Sequence, residues 1–590
     1  MDRLVQRSLG GLVLTALLCA ASSAGADAPR DIATNLRLWL DGMDVNATDT
    51  TSNGGGTNPA GGAQVSSWKD KSANGYTAGD AASYGANPRT YPTYSANTGV
   101  SFNGTSDVLE ISGNIFGTNS VTASEVLLVA STRSIAALPV LFGGGPKGYS
   151  PSNRYMLSLP WNDGNIYWDQ GNTTGGRVTV NWAGTSPVLG RMYLYGLRSG
   201  TGGGAIIRDG ATLGSSTTTA TYSPAANHYF ELGSGENDYR RHHDGVIGEM
   251  LIYTRVLKVA ERNILQSYLA AKHGNPGGAG TASKYASSAG FNYFVGGIGQ
   301  ESDGSVTVGT SAGLTISNGT FLGNGRYLLA GVSSLAPATG TVAADAPAGS
   351  GARSQRIWYL QQSGTSTGNV TLAFNLVQLG ITASTGSTLA LGYRSGTTGT
   401  FTSLATATYS GSGTVSFTAT SPQTGYYVLG TPGTPSPNIV TTLSSAVTSD
   451  SVNSSNFKAI PGSRIRINVV VINSGTGSAD NNATSVVIPV PANSRLYLGD
   501  LGGTGSGPVQ FTQGTTPSGL SYSFGGLANT TDSLDFSNDA GTTWTYTPVT
   551  TPNLTDPAIT AFRIKPSGTF GTGTAPNNPS FSLGYDVIVQ

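Results

Sequence analysis

Hydrolytic, nucleophilic, metal-binding and sugar-binding chemistry each leave a residue pattern, and this 590-residue sequence contains fragments of all four. In Glu236-Asn237-Asp238-Tyr239-Arg240-Arg241 two carboxylates lie two residues apart, on one side of the chain if the segment were extended. Glycoside hydrolysis needs a protonated acid opposite an ionised carboxylate. The preceding Gly233-Ser234-Gly235 reads as loop, and glutamate occurs only seven times, never after Glu301. The segment is expected to be a polar surface loop with local ion pairs. Gly309-Thr310-Ser311-Ala312-Gly313 and Gly364-Thr365-Ser366-Thr367-Gly368 have the spacing of a serine nucleophile, which needs a strand-to-helix turn and a downstream histidine. The four histidines (His228, His242, His243, His273) all precede both serines, and no helical pattern follows either. Both are chance matches in a Gly- and Ser-rich chain.

Metal chemistry is no better supplied. His242-His243-Asp244 clusters ligand types, but adjacent strand residues face opposite sides, and there is no H-E-x-x-H or cysteine pair. Asp41, Asp44 and Asp49 with Asn46 could offer oxygen ligands to a structural Ca²⁺, without the order of an EF-hand loop. No other cofactor is expected. Sugar binding has the fullest pattern. Trp161-Asn162-Asp163-Gly164-Asn165-Ile166-Tyr167-Trp168-Asp169 mixes three aromatics with carboxamides and carboxylates, the groups that stack on a pyranose and bind its hydroxyls. Ile166 and Trp168 share one strand face and are assigned to core. Asp163, Tyr167 and Asp169, and separately Asn237 and Asp238, are the candidate ligand-binding rim.

These residues must be positioned by strands. Glycine numbers 84 and charged residues make up 11%, against about 25% in an ordinary domain. Short apolar runs between Gly, Ser, Thr and Asn clusters indicate an all-β, multidomain chain. Lys+Arg equals Asp+Glu at 31 each, so nothing favours nucleic acid as a partner. Arg3 and Arg7, the apolar stretch Leu9 to Ala21 and Ala24-Gly25-Ala26 read as a signal peptide over 1–26, which holds the single cysteine, Cys19. No later run is long enough to predict a transmembrane segment. A first block covers 31–275 and a second 284–430. A Pro-rich linker spans 431–437, and a third block covers 438–590. One helix closes the first block: Leu257, Ile264, Leu265, Tyr268 and Leu269 recur at helical spacing, Lys272 and His273 sit in the last turn, and Gly274 and Pro276 stop it.

The ordered set Leu38-Trp39-Leu40-Asp41, Trp68-Lys69-Asp70, Gly99 to Gly104, Gly248-Glu249 to Tyr253 and Glu261-Arg262 to Gly274 resembles a bacterial laminin-G-like jelly roll of the concanavalin A-like lectin/glucanase superfamily. Lys258 stands where that family usually places a Ser or Thr helix cap. Glucanases of the superfamily use Glu-x-Asp-x-x-Glu, and Arg241 replaces the final glutamate here. Gly296 to Gln300 with Ser311 and Tyr327 to Gly331 resembles the β module that follows such jelly rolls in bacterial surface proteins. Ala459 to Gly462, Val471 to Gly477 and Phe536 to Gly541 resemble an extracellular Ig-like repeat of the domain-of-unknown-function-11 type. Ser537-Asn-Asp539-Ala-Gly541-Thr-Thr-Trp544 also matches the Asp-box of sialidase propellers; occurring once, it is expected to be a stabilised turn.

The resemblances imply a jelly-roll β-sandwich, a smaller β module and an Ig-like β-sandwich. The leading reading is a secreted bacterial protein, extracellular or on the cell surface, that binds a glycan or other cell-surface ligand without enzymatic activity. The alternatives are a glycan-degrading hydrolase of the same superfamily and a purely structural matrix or surface protein.

Overall fold

The computed structural model describes residues 27–49, 57–79, 89–111, 113–136, 139–146, 152–225, 228–235, 241–274, 283–286, 290–365, 367–432, 437–475, 477–573 and 576–590. The expected signal peptide, and with it Cys19, lies outside them. The chain is nearly all β and divides between Pro432 and Gly433 into two compact units.

In the first unit the opening sandwich has two antiparallel eight-stranded sheets. The far sheet runs in the order Arg177–Asn181, Asn165–Gly171, Arg154–Ser158, Val140–Pro146, His228–Leu232, Leu109–Ile111, Thr77–Gly79, Trp68–Lys69. The helix-side sheet is centred on Ser124–Ser134 and Asp244–Tyr253, with Leu36–Asp41 paired to the latter. Between the sheets lies a core that includes Phe102, Leu128, Phe142, Tyr155, Trp168 and Phe230. The helix-side sheet is buried on both faces. Val126, Leu128 and Ala130 point into this core, while Leu127 and Val129 point into a second one, so the strand reads as an unbroken apolar run. A second sandwich follows, with a nine-stranded and a four-stranded sheet around Trp358, Phe374, Phe417 and Tyr427.

The helix Val259–Lys272 lies between the two sandwiches, and twelve of its fourteen residues are buried. It packs Ile264, Leu265 and Tyr268 into one cluster with Trp39, Leu251 and Tyr253 of the first sandwich and with Tyr327, Leu329 and Val428 of the second. Burying side chains of this size contributes roughly 1.5–3 kcal/mol each. The missing Ser/Thr cap is made good from elsewhere. The Val259 N–H donates to Asp303 Oδ2 of the second sandwich at 2.9 Å, and the Lys258 N–H donates to Glu261 Oε2 at 2.8 Å. The helix's polar residues hook both neighbours. Arg262 pairs with Glu125 of the helix-side sheet, and Asn263 donates to the Tyr327 hydroxyl at 2.8 Å. At the short N-terminal helix Ala28–Asp31, the Asp31 carboxylate accepts the Thr310 N–H at 2.6 Å and its hydroxyl at 2.7 Å, tying the first sandwich to the second again.

The residues that carry the jelly-roll resemblance meet at the C-terminal end of this helix. Lys272 Nζ lies 2.8 Å from Glu249 Oε2 and 2.7 Å from Asp41 Oδ1. Glu249 also accepts from Trp39 Nε1 at 2.8 Å and the Tyr268 hydroxyl at 2.9 Å, and lies 3.1 Å from His273 Nε2. Lys71 Nζ sits 2.9 Å from Asp41 and 3.1 Å from Asp44, over the Trp39 ring. Asp70 accepts the Trp39 N–H at 2.9 Å. Burial alone would raise the Asp41 and Glu249 carboxyls, but Lys272, joined at Asp41 by Lys71, holds both below the ordinary range. Burial would likewise lower Lys272 and Lys71, yet the facing carboxylates hold both ammoniums above their usual value.

The second unit has a five-stranded sheet containing Ile439–Ser449, Arg464–Asn473 and Ser580–Val589, a three-stranded sheet and a two-stranded one. Its core gathers Val469, Val471, Phe536, Phe562, Phe581 and Tyr585. The single Asp-box is a turn. Ser537 Oγ accepts the Gly541 N–H at 2.9 Å, Asp539 Oδ1 accepts the Thr543 N–H at 2.9 Å, and Gly541 has φ 86°. Trp544 stacks against Arg563, whose guanidinium is 4.7 Å from the ring centroid.

Lys272→Met leaves Asp41 and Glu249 facing each other without their shared cation, and urea unfolding of the first unit is expected to show a loss of about 3–5 kcal/mol. A loss below about 1 kcal/mol would mean the cluster contributes little. Asp303→Ala removes only the cap and should cost about 1 kcal/mol by the same measurement. The second unit yields a pH prediction. Hydrogen bonds from the Ser537 hydroxyl and the Thr543 N–H hold Asp539 down at about 2, below its usual 3.8. A depressed carboxyl contributes stability that is present above 3.8 and lost as pH falls through about 2. Acid titration of unfolding should therefore be shallower in Asp539→Asn over that window, and identical titrations would refute this.

Candidate functional site

The expected sugar-binding segment folds as a turn leading into a strand. Between Arg154–Ser158 and Asn165–Gly171 the chain reverses, with the Trp161 N–H donating to the Asn165 carbonyl at 2.7 Å and Gly164 at φ 78°. Asp163 Oδ1 accepts the Asn165 N–H at 3.0 Å, and its other oxygen accepts the Tyr167 hydroxyl. Slight burial acts to raise the Asp163 carboxyl, but these donors hold it below the ordinary range. Ile166 and Trp168 point into the core between the sheets, as their shared face requires. Tyr167 and Asp169 point the other way.

That other way is not open solvent at Asp169. The carboxylate is fully buried, with Arg177 Nε 2.7 Å from Oδ1 and Arg154 Nη2 2.8 Å from Oδ2. Two guanidiniums taking a carboxylate out of water make a structural clamp, so Asp169 is removed from the ligand-binding rim. Tyr167 is only 8% exposed, too little to offer its ring to a sugar, and the Arg177 guanidinium lies 3.9 Å from its ring centroid. Asp163 is exposed. Asn237 and Asp238 lie outside the described residues. Arg241 stacks on Trp161 with its guanidinium 3.5 Å from the ring centroid. The half-exposed Trp161 and Arg241, with Asp163, Arg177 and Thr179 nearby on the same turn and strands, form an accessible corner at the end of the far sheet.

The pairing register reveals more of this face. Arg177, Asp169, Met156, Gly143, Glu231 and Glu110 are successive direct partners across six strands, one residue from each. All alternate with core residues and therefore lie on the sheet's outer face. The row has a guanidinium–carboxylate cluster at each end. Opposite the Arg154–Asp169–Arg177 clamp, Arg89 sits 2.7 Å from Glu231 and 3.5 Å from Glu110. The sequence patterns did not bring Arg89, Arg154, Glu110 and Glu231 together. The signal was available as oppositely charged residues at alternate positions of strands that can pair.

The remaining chemical fragments dissolve. Ser311 is buried on a strand that turns into another strand, and its carbonyl accepts Trp358 Nε1 at 2.8 Å. Ser366 lies outside the described residues. His243 is wholly buried; burial first, then the nearby Arg133, pushes its imidazole down to about 3, so it is neutral at ordinary pH. Asp244 pairs with Arg133 at 2.9 Å. Among the described residues no group of three or more His, Cys, Asp and Glu side chains could hold a metal ion. Of the residues named as possible Ca²⁺ ligands, Asp41 pairs with Lys71 and Lys272, and Asp44 pairs with Lys71. No helix among the described residues is long and apolar enough to cross a membrane.

No protein-family model matches the chain, and no curated protein does. Among solved structures, the chain is similar to the CBM40 of the Ruminococcus gnavus IT-sialidase bound to α2,3-sialyllactose, at 15% identity over 23% of this chain and 78% of that one, with a TM-score of 0.20. It is similar to domain 4 of the GH43 extracellular arabinanase AbnA of Geobacillus stearothermophilus in complex with arabinotriose, at 18% identity over 38% of this chain and 94% of that one, with a TM-score of 0.25. It is also similar to a Trypanosoma rangeli sialidase, at 13% identity over 40% of this chain and 34% of that one, with a TM-score of 0.26. Likenesses of this size carry no argument about a ligand for this chain.

Proposed function

We propose that the protein is a secreted, non-enzymatic binding protein that recognises glycan at the corner formed by Trp161, Asp163 and Arg241. The observation that carries this reading is the stacked Trp161–Arg241 pair. It links the turn after Arg154–Ser158 with the segment before Asp244–Tyr253 and places a half-exposed indole beside an exposed carboxylate. An indole offers an apolar face to the C–H side of a sugar, and the guanidinium and carboxylate offer a donor and an acceptor for hydroxyls. The glutamates of the neighbouring face support binding over hydrolysis. Glu110 and Glu231 are buried against Arg89, and Asp169 is clamped by two arginines, whereas hydrolysis needs one carboxyl free to hold and release a proton.

A glycan array probed with the full chain tests the reading. At least one glycan class is expected to be retained, and Trp161→Ala should weaken it about tenfold, the equivalent of one good ring contact of roughly 1.4 kcal/mol. Asp169→Asn should instead lower unfolding stability while leaving the affinity of the folded fraction unchanged. An array with no retained glycan, or retention indifferent to Trp161→Ala, would sink the proposal. Reducing ends released from a polysaccharide panel would overturn its non-enzymatic part.

A further inference from the structure

The second unit carries the longest edge strand among the described residues. Ile439–Ser449 is an eleven-residue strand at the margin of the five-stranded sheet, paired on one side only, to Arg464–Asn473. Ten of its residues are exposed, and Val447 is half-buried. Thr441, Leu443 and Ser445 pair directly with Val471, Val469 and Ile467, which point into the core. Leu443 therefore lies on the core side of the sheet, yet it is 69% exposed, because the opposing sheet does not extend over this strand. Ile439 on the same face is 43% exposed.

Edge strands expose unpaired N–H and C=O groups, and proteins blunt them with charge, proline, bulges or brevity. Other margins among the described residues are shorter: Thr93–Ser95, Trp68–Lys69, Gly304–Val306, Thr341–Val342 and Ser494–Leu496 have two or three residues each, and the longest of the rest, Thr402–Thr408 and Thr414–Thr420, have seven. Ile439–Ser449 reads IVTTLSSAVTS, without a charge or a proline, and its one shift of register falls near its C-terminal end, between Val447 and Ser449. Water satisfies its outward N–H and C=O groups in a single copy, a second strand can take the place of that water, and the strand's neutrality means that two copies laid edge to edge meet no like-charge opposition. An antiparallel pairing about Ser444 places Leu443 opposite Ser445 and Thr441 opposite Val447 of the second copy. The core-side apolar residues of both copies then form one patch across the new seam.

We propose that this edge is a homodimer interface: two copies of the chain join through antiparallel pairing of Ile439–Ser449, making one continuous sheet across a two-fold axis. The inference is independent of the glycan reading, because it uses neither the first unit nor its corner.

Sedimentation equilibrium of the full chain, at micromolar concentrations and again after tenfold dilution, tests it. The expected result is a reversible monomer–dimer equilibrium. Leu443→Lys, a change at an exposed position that the fold of one copy tolerates, should weaken it by roughly 100-fold or more, since the two-fold brings like charges together at the seam. Hydrogen exchange should show the amides of Ile439–Ser449 becoming more protected as concentration rises. A monomer at every concentration, which includes the case of an edge covered by the chain's own first unit, overturns the proposal. So does a dimer indifferent to Leu443→Lys, or an open-ended assembly that grows without limit.

Discussion

The Lys272 ammonium, buried between Glu249 and Asp41, is the interaction on which the first unit's arrangement depends. A buried charge is tolerable only where its partners are already in place. Those partners come from two neighbouring strands of the helix-side sheet, Leu36–Asp41 and Asp244–Tyr253, so the helix can sit on the sheet in one register only. Sliding it by a turn would strand the cation and leave two carboxylates facing each other. The second sandwich then closes over the helix, and its Asp303 satisfies the N–H at the helix's other end. Hydrophobic burial supplies most of the energy of this arrangement, and the ion cluster supplies its uniqueness.

The helix itself was legible in sequence because its apolar spacing and its Lys-His-Gly-x-Pro ending follow from local rules. What it packs against was not. The runs Val126–Ala130 and Met250–Tyr253 read simply as strands, although an unbroken apolar run in an antiparallel sheet implies burial on both faces, and hence something beyond the sheet. The aspartates at 41, 44 and 49 read as an oxygen cluster seeking a cation. Asp41 faces lysines 30 and 231 residues further along, and Asp44 faces the first of these, so no local window contains the partners. The resemblance had already gathered Trp39, Asp41, Glu249, Tyr268 and Lys272 as a pattern, and the hydrogen bonds now give its physical reason.

At the candidate site, alternation correctly separated Trp168 from Tyr167 and Asp169. The error at Asp169 lay in equating the face opposite the core with solvent. Its neighbours on that face, Arg154 and Arg177, come from the two flanking strands, so the clamp depends on register, which is set by pairing over tens of residues and not by the motif itself. Trp161 was read as one aromatic among three. Its partner Arg241 had been noted only as the residue that spoils a hydrolase motif. Chain topology joins the two observations at one corner.

Composition links these features. With only 11% of its residues charged, the chain concentrates much of its charge in buried clamps: Arg89 with Glu231, Arg154 and Arg177 with Asp169, Arg262 with Glu125, Lys71 and Lys272 with Asp41. Surface strands are left with serine and threonine, which keep a face wet but do not repel a neighbouring strand. Brevity protects several sheet margins under that constraint, because a two- or three-residue edge offers too few hydrogen bonds to hold a partner. An eleven-residue edge built from the same uncharged residues has no such protection, and its free hydrogen-bonding groups and uncovered Leu443 ask for a strand of matching length and neutrality. The same scarcity of surface charge that makes the interior clamps affordable leaves this edge open to pairing.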